Sequence, residues 1–245
     1  MQTVSPREDL IAAHHRALER IAEPGTWWTG AERRAIAETA RDAWHCELNK
    51  RRKAALTPFA VDGEHYSSAS EPRPLTEGTI DLVHRLVTDP ARLSEKLLKD
   101  RIDAGDFTLE QYVELIGVVT QIVSVDAFHY GMGEELLPLP EAVEGEPSRK
   151  RPSGAAMEGA WVPMVQPKRL DPEDADLYGN APRTGNVIRA LSLVPAEVRA
   201  LNDLSASQYL SAPDVMKFGQ NTRSISRAQM ELVAGRVSSL NECFY

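Results

Sequence analysis

The chain contains two cysteines, Cys46 and Cys243, and these are the residues best suited to covalent chemistry. A cysteine thiolate is a nucleophile and a redox centre wherever nearby groups favour its charged form. Cys243 follows an apolar helical pattern, and Glu231 precedes it by twelve positions. Taken alone, Cys243 is more typical of a small buried hydrophobe and Glu231 of a helix-surface carboxylate. The pair therefore needs a structural context before it indicates a site.

The remaining candidates carry weaker signals. Cys46 follows His45, but adjacent residues on a helix point about 100° apart and do not face each other, so we expect Cys46 to be structural. The other histidines show neither the spacing of metal ligands nor a cysteine partner, which argues against a bound metal. These histidines are His14, His15, His65, His84 and His129.

Composition limits the class of protein. The 245 residues are 42% hydrophobic, which is enough for a substantial core. A net charge of −8 argues against a nucleic-acid partner or an anionic membrane surface. No window reaches the roughly 18 uninterrupted apolar residues of a membrane helix. With no leader pattern and no disulfide framework, we expect a cytoplasmic protein.

Apolar residues recur at helical spacing along most of the chain, and no alternating strand pattern is found, so an all-α fold is predicted. Three capping boxes mark helix starts, at Thr29, Thr108 and Ser226. The last of these helices carries an apolar stripe with spacings of three, four and three. The stripe consists of Met230, Val233, Val237 and Leu240. The predicted helices span Ile11–Ile21, Thr29 to about Leu56, Leu75–Val87, Leu93–Asp103, Thr108 to about Gly131, Asn186–Leu191, a stretch after Pro195, and Ser226 onward.

Three segments are predicted: a helical half over 1–140, a proline-rich linker or extended surface crossing over 141–181, and a second helical half begun over 182–245. Residues 29–48 can be laid on 226–245 without a gap. This overlay matches the two capping boxes and brings Cys46 onto Cys243. It indicates a diverged internal duplication.

Four stretches resemble the AhpD-like alkylhydroperoxidase family of the carboxymuconolactone decarboxylase superfamily: "RAQMELVAGRVSSLNECFY", "GNVIRALSLVPAEVRALNDL", "ARDAWHCELNKRRKAALTPFAV" and "SVDAFHYGMGEELLPLPE". The signature of that family is Glu, then Cys twelve residues on, then x-x-Cys, then His four later. Glu231 and Cys243 match its first half, and positions 246 and 250 lie beyond the chain. In the first copy Arg34 replaces the glutamate and Asn49 the second cysteine, so that copy is expected to be inactive.

The resemblance implies an AhpD-like helical fold of two tandem diverged halves, the second truncated, and a peroxidase-type oxidoreductase. In it, Cys243 is the resolving thiol, Glu231 belongs to a proton relay, and position 246 carries the attacking atom. We expect selenocysteine at position 246. Its codon, UGA, is commonly read as a stop, and the sequence ends one residue before the expected attacking atom. The incomplete second half should leave the apolar stripe of the last helix partly exposed.

The expected partners are a hydroperoxide substrate, a dithiol reductant protein of lipoyl or thioredoxin-like type, and further copies of the chain in a homo-oligomer. No bound cofactor, nucleic acid or membrane is implied. Two alternatives stay open. One is a decarboxylase-type enzyme of the same superfamily, whose branch lacks the cysteine pair. The other is a non-catalytic helical scaffold or binding protein.

Overall fold

The computed structural model describes residues 5–179, 184–215, 217, 219–220, 222–241 and 243. Over these residues the protein is all-α, as predicted from the sequence. They contain no β-strand, and the single isolated bridge joins Ala156 to Met164. The helices in chain order are α1 (Glu8–Ala22), α2 (Gly30–Ala43), α3 (Glu47–Ala54), α4 (Glu77–Thr88), α5 (Glu95–Asp103), α6 (Leu109–Met132), α7 (Asn186–Arg189), α8 (Pro195–Gln208), α9 (Ala212–Val215) and α10 (Arg227–Leu240).

The three predicted capping boxes all form. Thr29, Thr108 and Ser226 each accept a hydrogen bond from the backbone N–H three residues on, and the residue at that position bonds back. α6 ends at Gly133, whose φ of 71° is left-handed. Glycine adopts that conformation without the steric cost that a Cβ brings. The starts of α2, α6 and α10 are therefore encoded locally.

The single helix predicted from Thr29 to about Leu56 is wrong, because the chain breaks it into α2 and α3. Cys46 is extended, with φ −81° and ψ 114°, and precedes the first turn of α3. The Asn49 side chain donates to the carbonyl of Ala43 at the end of α2, over 3.1 Å. A side-chain amide thus satisfies a carbonyl that a continuous helix would have paired with a backbone N–H.

α6 is the central helix and packs against α1, α2, α4 and α8. Its inward positions Leu115, Val118, Ile122 and Val125 are fully buried. By length and composition alone, α6 is apolar enough to cross a membrane. Half of that apolar window is covered by the protein itself, as in the core helix of a globular domain.

The proline-rich middle segment is an extended crossing that packs on the helices. The backbone N–H of Val143 donates to Ala22, and that of Arg149 donates to Thr26. Its side chains also enter the core cluster, notably Val162 and Leu177. The core consequently draws on all three predicted segments, 1–140, 141–181 and 182–245. The division of the chain into two tandem halves stays a prediction.

α10 differs from the other long helices because none of its residues is buried. Val233, Val237 and Leu240 of the apolar stripe are 59%, 50% and 63% exposed, which confirms the expected exposure. α2 and α10 have the same length of 14 residues. Each ends three positions before a cysteine, Cys46 or Cys243, as the overlay of the two segments requires.

Candidate functional site

Cys46 lies where α3 begins, as the residue before its first turn. The backbone N–H groups at a helix N-terminus carry partial positive charge. The backbone N–H of Tyr66 also donates to Cys46 Sγ over 3.4 Å. Tyr66 belongs to the irregular loop of residues 61–76, which here lies against the thiol and leaves Cys46 only 1% exposed.

His65, from the same loop, bridges the thiol and a carboxylate with its two ring nitrogens. Nδ1 lies 3.7 Å from Cys46 Sγ, and Nε2 lies 3.0 Å from Asp81 Oδ1. An ionised carboxylate can only accept a hydrogen bond, so Nε2 carries the proton and the Nδ1 lone pair faces the sulfur. This is the arrangement of a nucleophile, a base and a group that orients the base.

Asp81 is held as an anion by arginines on several elements. Arg52, Arg85 and Arg101 donate to its oxygens over 2.5, 2.8 and 3.3 Å. Burial acts to raise the pKa of Asp81, but the hydrogen bonds from His65, Arg85 and Arg52 outweigh it and hold this pKa far below its ordinary value. The carboxylate thereby fixes the tautomer of His65, and the surrounding arginines make the site electropositive.

His84 stands one turn after Asp81 on α4 and is fully buried. Its ring centroid lies 4.0 Å from that of His65, and its Nδ1 lies 3.0 Å from Asn49 Nδ2. Burial, and then the neighbouring His65, lower the pKa of His84 to about 3, so its imidazole is neutral. Its Nε2 has no hydrogen-bond partner among the described residues.

Cys46, His65 and His84 each offer one potential metal-ligand atom, and these atoms all lie within 4.8 Å of one another. The expectation that the histidines lack a cysteine partner is therefore wrong. The three residues are far apart in sequence, and the loop after α3 brings His65 over the thiol. The sequence offered one indication of this site, at position 49. Asn49 occupies the position at which the resemblance expects a second cysteine, and in the structure its side chain contacts His84.

The other predicted pair, Glu231 and Cys243, lies at α10. Glu231 accepts hydrogen bonds from Tyr209 Oη and Arg227 and is largely exposed. The bond from Tyr209, together with Arg227, lowers the pKa of Glu231 below its ordinary value. A carboxyl that stays ionised at neutral pH is poorly matched to proton transfer near neutrality. Cys243 is exposed, and its backbone N–H donates to the carbonyl of Ser238. The relay role of Glu231 stays a prediction.

A second polar cluster, which the sequence analysis did not anticipate, lies inside the helical core. Arg33 donates to Glu114 and, over 2.8 Å, to Glu197, and all three side chains are at most 4% exposed. Burial raises the pKa of Glu114 despite its bond to Arg33. Gln121 donates to Glu197 over 2.9 Å, and both line a cavity of about 190 Å³ between α6 and α8. In the sequence these charges occupy ordinary positions in amphipathic helices.

In comparisons with family models, curated proteins and solved structures, nothing matches this chain. The resemblance to the AhpD-like family consequently stays a prediction. Any functional hypothesis therefore depends on the geometry around Cys46.

Proposed function

We propose that the protein is a thiol-dependent peroxidase in which Cys46 attacks the hydroperoxide. The observation that carries the proposal is that His65 contacts the thiol with one ring nitrogen and the Asp81 carboxylate with the other. This relocates the predicted peroxidase chemistry from the second copy of the duplicated segment to the first, which we had expected to be inactive.

The proposed reaction consists of peroxide reduction by Cys46 and regeneration of its thiol by a dithiol. His65 Nδ1 takes the thiol proton, and the thiolate attacks one oxygen of ROOH, so that an S–O bond forms and the O–O bond breaks. The leaving alkoxide takes the proton from His65 and departs as ROH. An external dithiol then attacks the sulfenic sulfur, which expels water. The second thiol of that reductant resolves the mixed disulfide and restores the Cys46 thiol.

Burial of Cys46 favours a small substrate. With 1% exposure, the sulfur is reached only when the loop over it shifts, and a hydroperoxide needs less room than an acyl group in a tetrahedral adduct. Cys46 and Cys243 are not joined by a disulfide. We propose a separate dithiol as the reductant, of the lipoyl or thioredoxin-like type that the resemblance implies. The cytoplasmic location and the homo-oligomer stay predictions.

Separate cysteine variants test the proposal, because the two thiols can be removed independently. We expect Cys46→Ser to abolish hydroperoxide-dependent consumption of dithiothreitol, and Cys243→Ser to preserve it. A sulfenic-acid trap should label Cys46 after peroxide treatment, as mapped by peptide mass spectrometry. His65→Gln should slow turnover by about 100-fold or more, because the base is lost. His45→Gln is the matched control beside Cys46 and should have little effect.

The opposite pattern would contradict the proposal. Loss of activity in Cys243→Ser with full activity in Cys46→Ser would assign the chemistry to the predicted Glu231–Cys243 pair instead. Equal peroxide consumption by the parent chain and the double serine variant would favour the alternative of a non-catalytic helical scaffold.

A further inference from the structure

We propose that Cys46 Sγ, His65 Nδ1 and His84 Nε2 form a binding site for a zinc ion, with the fourth coordination position open. This assignment goes beyond peroxide reduction and adds His84, which has no part in the reaction described above. Thiolate and imidazole are the ligands that zinc takes most often in proteins.

The spacing of the ligand atoms fits a tetrahedral ion after a small contraction. Zinc binds sulfur at about 2.3 Å and imidazole nitrogen at about 2.0–2.1 Å, which places sulfur and nitrogen about 3.5 Å apart in a tetrahedral site. Cys46 Sγ and His65 Nδ1 are already 3.7 Å apart. One ring nitrogen of each histidine lies within 4.8 Å of the other and of the sulfur.

The unpartnered nitrogen of His84 is the second, independent observation. A buried polar atom without a hydrogen bond costs about 1–3 kcal/mol in a folded protein. His84 is fully buried, and its Nε2 finds no partner among the described residues. Direct ligation of a cation removes that deficit, and no other group described around the ring does so.

Two flanking groups are placed to orient the ligands. Asp81 accepts from His65 Nε2, which leaves Nδ1 available to a metal, and such carboxylate–histidine pairs support many zinc sites. Asn49 contacts His84 Nδ1 through its amide nitrogen. Zinc on Nε2 puts the proton on Nδ1, so Asn49 must turn its amide oxygen toward the ring and give up its bond to the carbonyl of Ala43.

Zinc and peroxide would compete for the same sulfur. A metal-bound Cys46 thiolate cannot form the S–O bond, so bound zinc would hold the thiol in a protected, inactive state. This consequence rests on the proposed function, whereas zinc binding itself does not.

The test uses the full chain carrying Cys243→Ser, so that the exposed thiol cannot bind metal. Metal-free protein is incubated with zinc alone, and bound zinc is measured by atomic absorption after gel filtration. We expect one zinc per chain, and with cobalt in its place a thiolate-to-metal charge-transfer band. His84→Gln should weaken zinc binding by about 100-fold. His14→Gln, at a buried histidine in another part of the core, is the matched control and should bind like the parent.

A second measurement decides the matter even if His84→Gln does not fold. Zinc should slow alkylation of Cys46 in the parent chain by at least 10-fold, as followed by peptide mass spectrometry. Unchanged alkylation with zinc bound, or full zinc binding in a folded His84→Gln chain, would overturn the proposal. Peroxide turnover is assayed separately on the metal-free protein, so failure of the proposed function and failure of the zinc site are told apart.

Discussion

Replacing Arg33 by methionine should destabilise the protein more than any comparable surface change. Arg33 is the cation between two buried carboxylates, Glu114 and Glu197, whose side chains are 0% and 2% exposed. Methionine keeps much of the volume of the arginine stem and removes the charge. Both carboxyls then remain in the core without a cation.

The loss of stability is limited because a buried carboxyl can take up a proton and become neutral. A glutamate with an ordinary pKa of 4.5 can be buried neutral, at a cost of about 1.4 kcal/mol for each pH unit above that value. At pH 7 this amounts to about 3 kcal/mol for Glu114. Removing one partner of a buried ion pair typically costs about 3–5 kcal/mol, and we expect a loss in this range. Natural domains have a total stability of about 5–15 kcal/mol.

The sign of the pH dependence is a sharper test than the size of the loss. Burial raises the pKa of Glu114 and Arg33 opposes that rise, so in the variant the folded-state pKa of Glu114 lies further above the unfolded value. Stability is therefore fully present below about pH 4.5 and is lost as the pH rises. The difference between Arg33→Met and the parent should shrink to about 1 kcal/mol at pH 5.

Urea unfolding followed by circular dichroism, at pH 7 and pH 5, measures both quantities. Arg34→Met is the matched control, because Arg34 lies next on the same helix and makes partly exposed pairs with Glu38 and Glu141 at 3.4 and 3.9 Å. It should cost less than about 1 kcal/mol at either pH. A loss in Arg33→Met no larger than that of Arg34→Met, or one independent of pH, would refute the reasoning.

Three further predictions concern stability, each measured by urea unfolding. Gly117→Ala should destabilise the protein by about 1–3 kcal/mol, because the new Cβ would lie 2.3 Å from Glu197 Oε2. On the same helix, the Cβ of Gly131→Ala meets no atom within 4 Å, so that variant should stabilise the protein by about 0.5 kcal/mol. Equal effects of the two variants would contradict this expectation. Burial, and then its histidine neighbours, lower the pKa of His14 to about 4, so stability should be lost as the pH falls from 6.5 toward 4. The loss should be about 2 kcal/mol at pH 5, and His14→Gln should not show it. Ile122→Ala, at a fully buried site, should cost about 2–5 kcal/mol, and a cost below 1 kcal/mol would show that the site is not packed as described.

Much of the fold could be predicted because its signals are local. A capping box needs only four residues, so Thr29, Thr108 and Ser226 mark three helix starts in the sequence itself. The break between α2 and α3 was missed, because the Asn49 side chain ends α2 from a position beyond it. The helix propensities of Trp44 and Cys46 do not indicate the bond between the Asn49 side chain and the carbonyl of Ala43.

The candidate site was largely hidden, because it is assembled from groups that are distant in the chain. His65 reaches Cys46 from an irregular loop with no periodic pattern, and His84 comes from the helix after that loop. A spacing rule for metal ligands finds residues that share one helical turn or one hairpin. Cys46, His65 and His84 share neither. A redox function was predicted from the residues of the last helix, Glu231 and Cys243, whereas the contacts on which the proposed function rests lie around Cys46.

The hydrogen bond from the Tyr66 backbone to Cys46 Sγ links the state of the sulfur to the shape of the chain. An oxygen atom added to this sulfur occupies space beside the N–H, and the polypeptide above it must lift. The bond after Tyr66 in that same loop, a chymotrypsin site, would then become easier to cut. The rate of cleavage in this loop would thus report the oxidation state of Cys46, although that residue is almost inaccessible to solvent.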